Sequence, residues 1–358
     1  MHQKIANNIS VILGNSNPRF SGVSSTMLQT LEVQHTMIDI RVMGVHHLPE
    51  NLQHLAITFR EAISICKTPL PNGDLRVFHA RRNDEMIQAL TLKWVFGAKI
   101  KICFTSTAQR YHSKFSRWLM SKMDGIITTC NAANSFLNPP AERIIPHGIQ
   151  SNVYTPSKNK EKSWYDLSLS GQYGLGIFGR VRPQKGIDIF VDACIEVLPK
   201  HPQFTAIVVG AISSDNSDFA DKLKLKIDHA KLSTRILFLG ELEFSELPKL
   251  FNSVHLACAL SRNEGFGLTV LEAMSSATAV CASKAGAWED IINYGVTGSI
   301  VDAGNLAQTC NALDDLLASP ENLIRMGLEG RNEILKNYTI DRESHALCEY
   351  YASLQSRY

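Results

Sequence analysis

Long apolar runs, paired cysteines and a strong excess of either charge are all missing from this 358-residue chain. No stretch approaches the roughly 18–20 apolar residues that a membrane-crossing helix needs, so an integral membrane protein is not expected. The opening MHQKIANNISVILGN has one lysine and then a short strand-like run. It lacks the apolar h-region and small-residue cleavage site of a secretory signal, so the protein is expected in the cytoplasm. Eight cysteines stand at 66, 103, 130, 194, 258, 281, 310 and 348, and no two form a CxxC pair. A structural zinc site therefore has no spacing to support it, and buried free thiols are expected, as for Cys103 in KICF and Cys281 in AVCAS. No fixed-period repeat is visible, and neither a zinc finger nor an RNP signature accompanies the basic residues, so no nucleic-acid partner is expected.

What is present is ordinary for a globular protein: 44% apolar and 20% charged residues, which excludes a disordered chain, a collagen or a disulfide scaffold. The net charge of +2 hides an asymmetry. Residues 1–155 carry 16 Lys/Arg against 9 Asp/Glu, and the remainder 20 against 25. A basic first half suits an anionic partner: a phosphorylated metabolite, nucleic acid or an anionic membrane surface.

At roughly 150 residues per domain the length suggests two domains. In the first half, residues 9–14, 38–45, 75–80, 98–106 and 125–129 have the composition of strands, and 52–67 and 84–96 have helical periodicity. In the second half, 174–180, 204–211, 235–241, 254–261 and 278–284 have strand composition, and 186–201, 219–232, 268–277 and 305–319 that of helices. Strand–helix alternation occurring twice argues for an α/β protein of two Rossmann-like domains with parallel sheets. The boundaries expected are an N-terminal domain over 1–155, a polar linker over 156–173, a C-terminal domain over 174–338, and a helix within 339–358 crossing back to the first domain. Ligands of such sheets bind at the carboxyl ends of the strands, so two sheets facing each other would define a cleft between the domains.

The polar motifs fall at those strand ends. GRVRPQKG (179–186) follows a strand and precedes a helix. Arg180 and Lys185 are five apart, and two cations there suit a diphosphate whose leaving-group charge must be neutralised. SRNEGFGLTVLEAMSSA (261–277) places Glu264 before a helix and Glu272 within it, with Gly265 and Gly267 at the start. Glycines there let backbone N–H groups approach an anion, and carboxylates can accept hydrogen bonds from sugar hydroxyls and a ribose. NPRFSGVSST (17–26) carries Gly22 after the first strand and at a helix start but lacks the G-x-G-x-x-G fingerprint, so an ordinary turn competes with a phosphate loop. FHARRNDEM (78–86) and FTSTAQRYH (104–112) bring Arg81, Arg82, Arg110 and His112 to two more strand ends, where they are either anion-binding or surface charge. His112 is either a general base or structural. KFSRWLMSKM (114–123), with Trp118, is either a core-facing amphipathic helix or a peripheral contact for anionic lipid.

Taken together, G-R-x4-K followed by E-G-F-G-L-x-x-L-E-A-M resembles the retaining glycosyltransferases of family 4, with the GT-B fold. SGVSST, HARRNDEM, FTSTAQRYHS, FGRVRPQKGIDIFVDA and RNEGFGLTVLEAM are similar to the lipopolysaccharide core mannosyltransferases, which move mannose from GDP-mannose onto a Kdo residue of the inner core. The resemblance implies that Gly179, Arg180 and Lys185 hold the donor diphosphate, with Gly22 near it. It implies that Glu264 holds donor-sugar hydroxyls, that Glu272 holds the ribose, and that Gly265 and the amides of Phe266, Gly267 and Leu268 meet phosphate or sugar. Arg180, Lys185 and Glu264 then carry catalysis, while Arg81, Arg82, Arg110 and His112 face an acidic acceptor, a Kdo-containing lipid A precursor or another glycan. Two positions depart from the pattern. Where many members have a histidine after the fourth strand, this chain has Phe104-Thr105-Ser106-Thr107, and the asparagine of the I-P-N-G turn is His147.

The implied reaction is same-face transfer in which the departing phosphate takes the acceptor's proton and the protein supplies positioning and charge. No Asp-x-Asp stands at a strand end, so neither an essential metal nor a cofactor is expected. A transferase of the same fold with another donor or acceptor is the nearest alternative, and a nucleotide-sugar epimerase a more distant one. The paired glutamates argue against a non-catalytic nucleotide- or nucleic-acid-binding protein.

Overall fold

Runs of Val, Ile, Leu, Ala and Cys become short strands buried on both faces, as parallel sheets require. The computed structural model describes residues 8–357. The first sheet has seven parallel strands, β1 (Val11–Gly14), β2 (Ile40–Met43), β3 (Ala56–Ile57), β4 (Arg76–Ala80), β5 (Ile100–Ser106), β6 (Gly125–Thr128) and β7 (Arg143–Ile144), in the order β3-β2-β1-β4-β5-β6-β7. The second has six, β8 (Tyr173–Phe178), β9 (Phe204–Val209), β10 (Ile236–Gly240), β11 (Leu256–Ala259), β12 (Ala279–Ser283) and β13 (Gly298–Val301), in the order β10-β9-β8-β11-β12-β13. Both orders reverse direction once, at β1/β4 and at β8/β11. Such switch points open a crevice at the strands' carboxyl ends.

The chain divides into one unit made of the residues up to Gly148 with those from Ile340 onward, and another made of Ile149–Thr339. Helix Ile340–Gln355 packs on helix Gly22–Gln34 of its own unit. Its Glu343 accepts hydrogen bonds from His147 Nδ1 at 2.7 Å and from the Gly148 N–H at 2.8 Å. His147, the departure from the I-P-N-G turn, thus anchors the returning helix. In the second unit, helix Ile187–Val197 lays Ile187, Phe190, Val191, Cys194 and Val197 against β8, β9 and β11. Seven of the eight cysteines are buried and none is in a disulfide. No helix among the described residues is long and apolar enough to cross a membrane.

Three sequence expectations differ from the structure. Residues 52–67 are not one helix. A 3-10 turn (Glu50–Leu55) leads into β3, and helix Phe59–Ile65 starts afresh at Thr58. The cause is a capping box: the Glu61 N–H donates to Thr58 Oγ1, and the Glu61 carboxylate accepts from the Thr58 N–H at 2.7 Å. Residues 156–173 are not an open linker. They contain helix Lys160–Tyr165, whose fully buried Trp164 covers β8. A Cβ at Gly174 would lie 2.2 Å from that indole, so glycine is needed there. Lys160 donates to the Val254 carbonyl at 3.0 Å and to Thr278 Oγ1 at 2.6 Å, and burial draws its ammonium down to about 7. Finally, helix Pro320–Asn337 and strands β3, β7 and β13 have no counterpart in the sequence reading.

Candidate active site

In the second unit, the loops after β8 and β11 are joined by backbone and side-chain bonds. The Gly179 N–H donates to Val209 O at 2.8 Å and the Val181 N–H to Ala211 O at 2.9 Å, which fixes the exit of β8. The loop then tightens through a 3-10 turn at Pro183–Lys185. From the β11 loop, the Arg262 N–H donates to Gln184 O at 2.8 Å, and Gln184 Nε2 returns a bond to Asn263 O at 3.0 Å. The Arg262 guanidinium forks onto both carboxylate oxygens of Asp188, at 2.9 and 2.7 Å.

This scaffold brings Lys185 Nζ to 2.5 Å from Glu264 Oε2, with the two side chains 20% and 19% exposed. Ser261 Oγ donates to the same oxygen at 3.2 Å. The aliphatic stem of Lys185 passes 3.7 Å from where a Gly179 Cβ would stand. Sequence reasoning gave Lys185 and Glu264 separate tasks, and the structure pairs them. Arg180 is exposed on the same loop and forms no ion pair among the described residues, so its guanidinium is available to an anion.

Helix Leu268–Ser275 begins beside this pair with no side-chain cap, leaving its first N–H groups for a ligand. Its N-cap, Gly267, has φ +86°, and its carbonyl accepts from Trp288 Nε1 at 2.9 Å. A Cβ there would stand 2.4 Å from that indole nitrogen, so the close approach demands glycine. Phe266 is buried and its carbonyl accepts from the Ala287 N–H at 3.0 Å, while Gly265 and Leu268 are half-buried. One turn into the helix, Glu272 Oε1 accepts from the Tyr154 hydroxyl at 3.1 Å. Burial pushes the Glu272 carboxyl up to about 7, against the opposing pull of the Tyr154 hydrogen bond and the Lys185 charge. Burial also raises the Tyr154 phenol.

In the first unit, the switch point between β1 and β4 gathers Gly22, Arg81 and Arg82. Gly22 opens helix Gly22–Gln34, is exposed, and has open space where a Cβ would be. No steric demand explains a glycine there. The adjacent arginines differ. Arg82 is fully engaged, with Glu85 at 3.0 Å and with Ser21 Oγ and Ser24 Oγ at 3.0 Å each. Glu85 is wholly buried, also accepts from the Arg81 N–H at 2.7 Å, and has its carboxyl raised by burial. Arg81 keeps Nη1 buried without a hydrogen-bond partner among the described residues. That is an unmet donor of the kind a carboxylate or phosphate satisfies.

Arg110 is exposed, and His112, six residues beyond the end of β5, shares a hydrogen bond with Ser106 Oγ at 3.0 Å. Burial and then the Arg110 charge hold its imidazole below the usual range, so it is neutral near pH 7. His112 lines a cavity of about 680 Å³ with Tyr111, Arg117, Phe136 and Glu142. The histidine inside β4, His79, is buried between the Tyr351 hydroxyl and Thr105 Oγ1, both at 2.6 Å, and is structural.

Sequence reasoning missed Tyr154, Trp288, Asp188 and Glu85, all of which hold site residues in place. None has a motif. Tyr154 meets Glu272 across 118 positions of chain, and only folding pairs them.

Comparison with known proteins adds three findings. The family described as "Glycosyl transferases group 1" matches residues 167–333, which include Arg180, Lys185, Glu264 and Glu272. The lipopolysaccharide core biosynthesis mannosyltransferase LpcC of Rhizobium leguminosarum bv. viciae is 39% identical over 97% of both chains, and LpsB of Rhizobium meliloti, described likewise, is 36% identical over 97% of this chain and 98% of its own. Among solved structures, Anabaena Alr3699/HepE in complex with UDP and glucose superposes with a TM-score of 0.78 over 96% of this chain and 100% of its own, at 17% identity, a likeness of fold.

Proposed function

The chain belongs to the group 1 glycosyltransferases and has their GT-B fold, and from that premise we propose that it is a retaining family 4 mannosyltransferase. It takes mannose from GDP-mannose and places it on a Kdo residue of a lipopolysaccharide inner-core acceptor at the cytoplasmic face of the membrane. The observation that carries the reading is the Lys185–Glu264 pair at the β8/β11 switch point, beside a helix whose N-terminus has no side-chain cap. The names of the two Rhizobium relatives support the sugar and the pathway branch.

In this reading Arg180, Lys185 and the amides from Phe266 to Leu268 neutralise the diphosphate. Glu264 orients Lys185 and accepts from donor-sugar hydroxyls, and Glu272, set by Tyr154, accepts from the ribose. The bond from the anomeric carbon to the phosphate oxygen breaks as the acceptor hydroxyl bonds to that carbon on the same face. The released proton goes to the departing phosphate oxygen. With two cations for the leaving group, the reaction needs no metal, and chelation should leave the rate unchanged. On the first unit, Arg81, Arg110 and neutral His112 take the acidic acceptor, and Arg82 holds Glu85 and the start of helix Gly22–Gln34 in place.

The test is transfer from a panel of radiolabelled nucleotide sugars to a Kdo-bearing lipid. Label from GDP-mannose should enter the lipid with retained configuration, and none should be transformed without acceptor. Preference for another donor would replace the mannose assignment, and acceptor-independent conversion would favour the epimerase.

A further inference from the structure

The first unit carries a cluster of exposed aromatic side chains that no part of the catalytic reading uses. Helix Asn83–Trp94 ends in Trp94, Val95 and Phe96, which are 55%, 71% and 44% exposed. The neighbouring helix Lys114–Met120 presents Phe115 and Trp118, 53% and 49% exposed. Trp94, Phe115 and Trp118 touch one another, and Phe96 meets Phe59, which packs on the core of this unit, edge-on at 6.0 Å. Trp94 meets Trp118 edge-on at 6.4 Å, and Phe115 stacks on Trp118 at 6.2 Å with 19° between planes. A contiguous apolar patch of this kind marks an interaction surface.

The surrounding charge selects the occupant. Between Glu85 and Asp124 the sequence has no acidic residue and seven Lys/Arg. Asp124 is itself occupied by Lys93 at 2.7 Å. Lys99, Lys114, Arg117 and Lys122 are exposed, and Lys114 and Arg117 share the helix with Phe115 and Trp118. Two half-exposed tryptophans and exposed cations on the same segments match the headgroup zone of an anionic bilayer, where indole sits at the polar–apolar boundary and ammonium and guanidinium meet phosphate.

We propose that the surface formed by Trp94, Val95, Phe96, Phe115 and Trp118, with Lys99, Lys114, Arg117 and Lys122 around it, docks the enzyme on an anionic lipid bilayer. The inference deepens the reading above, in which the acceptor is lipid-linked. Arg117 also lines the His112 cavity, so the docking helix borders the acceptor side of this unit. The core-facing alternative for KFSRWLMSKM fails at Trp118 and Phe115, which face outward, and holds for Leu119 and Met120, which are buried.

The chain's own tryptophans provide the assay. Trp164 and Trp288 are buried, at 0% and 1% exposure, so a spectral change on binding reports Trp94 and Trp118. The full chain is mixed with phosphatidylcholine vesicles with and without phosphatidylglycerol, without donor or Kdo. It should co-sediment with the anionic vesicles only, with tryptophan emission shifted to the blue and quenched by brominated acyl chains. Trp94→Ser with Trp118→Ser should abolish both signals, and each of Lys114→Gln and Arg117→Gln should lower the partition coefficient roughly fivefold. Absence of wild-type binding, or binding without quenching, would overturn the proposal. So would a dimer in light scattering that the double serine variant dissolves while lipid binding is absent. Because the vesicles carry no substrate, failure here leaves the transferase reading intact, and failure of mannose transfer leaves the docking surface intact.

Discussion

Replacing Lys185 by methionine tests the core of the site, because the pair it breaks has two separable roles. As a structural ion pair, Lys185–Glu264 lies between an exposed bridge, at about 0–1 kcal/mol, and a wholly buried one, where loss of a partner costs about 3–5 kcal/mol. With both side chains about one-fifth exposed, Lys185→Met should cost about 1–2 kcal/mol of stability. As a diphosphate clamp, the same ammonium is worth a factor of about 10²–10³ in turnover, or about 3–4 kcal/mol of barrier. The double variant Lys185→Met, Glu264→Gln separates the two. It removes the orphaned carboxylate charge and should recover most of the lost stability in urea denaturation. It should not recover turnover, measured as GDP released in the presence of acceptor well below the melting temperature. If the double variant regains wild-type turnover, or if Lys185→Met alone keeps it, the pair is only a brace and the donor assignment falls.

Glu272 predicts a pH signature. Its raised folded pKa of about 7 means that, from the unfolded value near ~4.3 upward, the folded protein holds a proton the unfolded chain releases. Stability should therefore fall by up to about 4 kcal/mol as pH rises through that window, and Glu272→Gln should flatten the fall. The donor KM should drop from pH 6 to pH 8 as the carboxylate forms, and Tyr154→Phe, which removes a bond favouring the carboxylate, should move that profile to higher pH. Gly267→Ala drives a Cβ towards Trp288 at a positive φ and should cost about 2–4 kcal/mol in thermal or urea unfolding, with donor binding weakened in calorimetry. Arg82→Met should cost about 3 kcal/mol by orphaning the buried Glu85, whereas Arg81→Met should not lower stability, because it removes a buried donor that has no partner, and should raise the acceptor KM about tenfold, the worth of one charge-assisted bond.

The sheets were legible because strands of a parallel sheet are mostly apolar, and ten of the thirteen strands fall in segments of that composition. Of the three missed strands, β3 and β7 have two residues each, too few for any period to show. Helix Gly22–Gln34 was legible only at its start, because its buried side is partly polar: Ser24, Thr26, Thr30 and Gln34 lie inward beside Met27, Leu28 and Leu31. Residues 156–173 have linker composition, yet one tryptophan and the glycine that makes room for it turn them into the cover of β8. A single large side chain outweighs many polar neighbours when it alone is buried.

The site was legible at the residues that would touch a ligand and illegible at those that hold them. Lys185, Glu264 and Gly267 stand in motifs because each must lie next to a strand end, which is a local property of the chain. Tyr154 and Trp288 act by reaching a neighbour brought close by the fold, and no spacing along the sequence encodes that reach. The two adjacent arginines show the consequence. In sequence Arg81 and Arg82 are one doublet of positive charge. In the bend between β4 and the next helix, Arg82 turns to a buried acid and two serines, and Arg81 is left with a buried nitrogen unbonded. An unmet buried donor costs about 1–3 kcal/mol in the free protein. A ligand carboxylate that meets it recovers that cost on binding, so the acidic acceptor should tighten on Arg81 and be indifferent to the charge of Arg82.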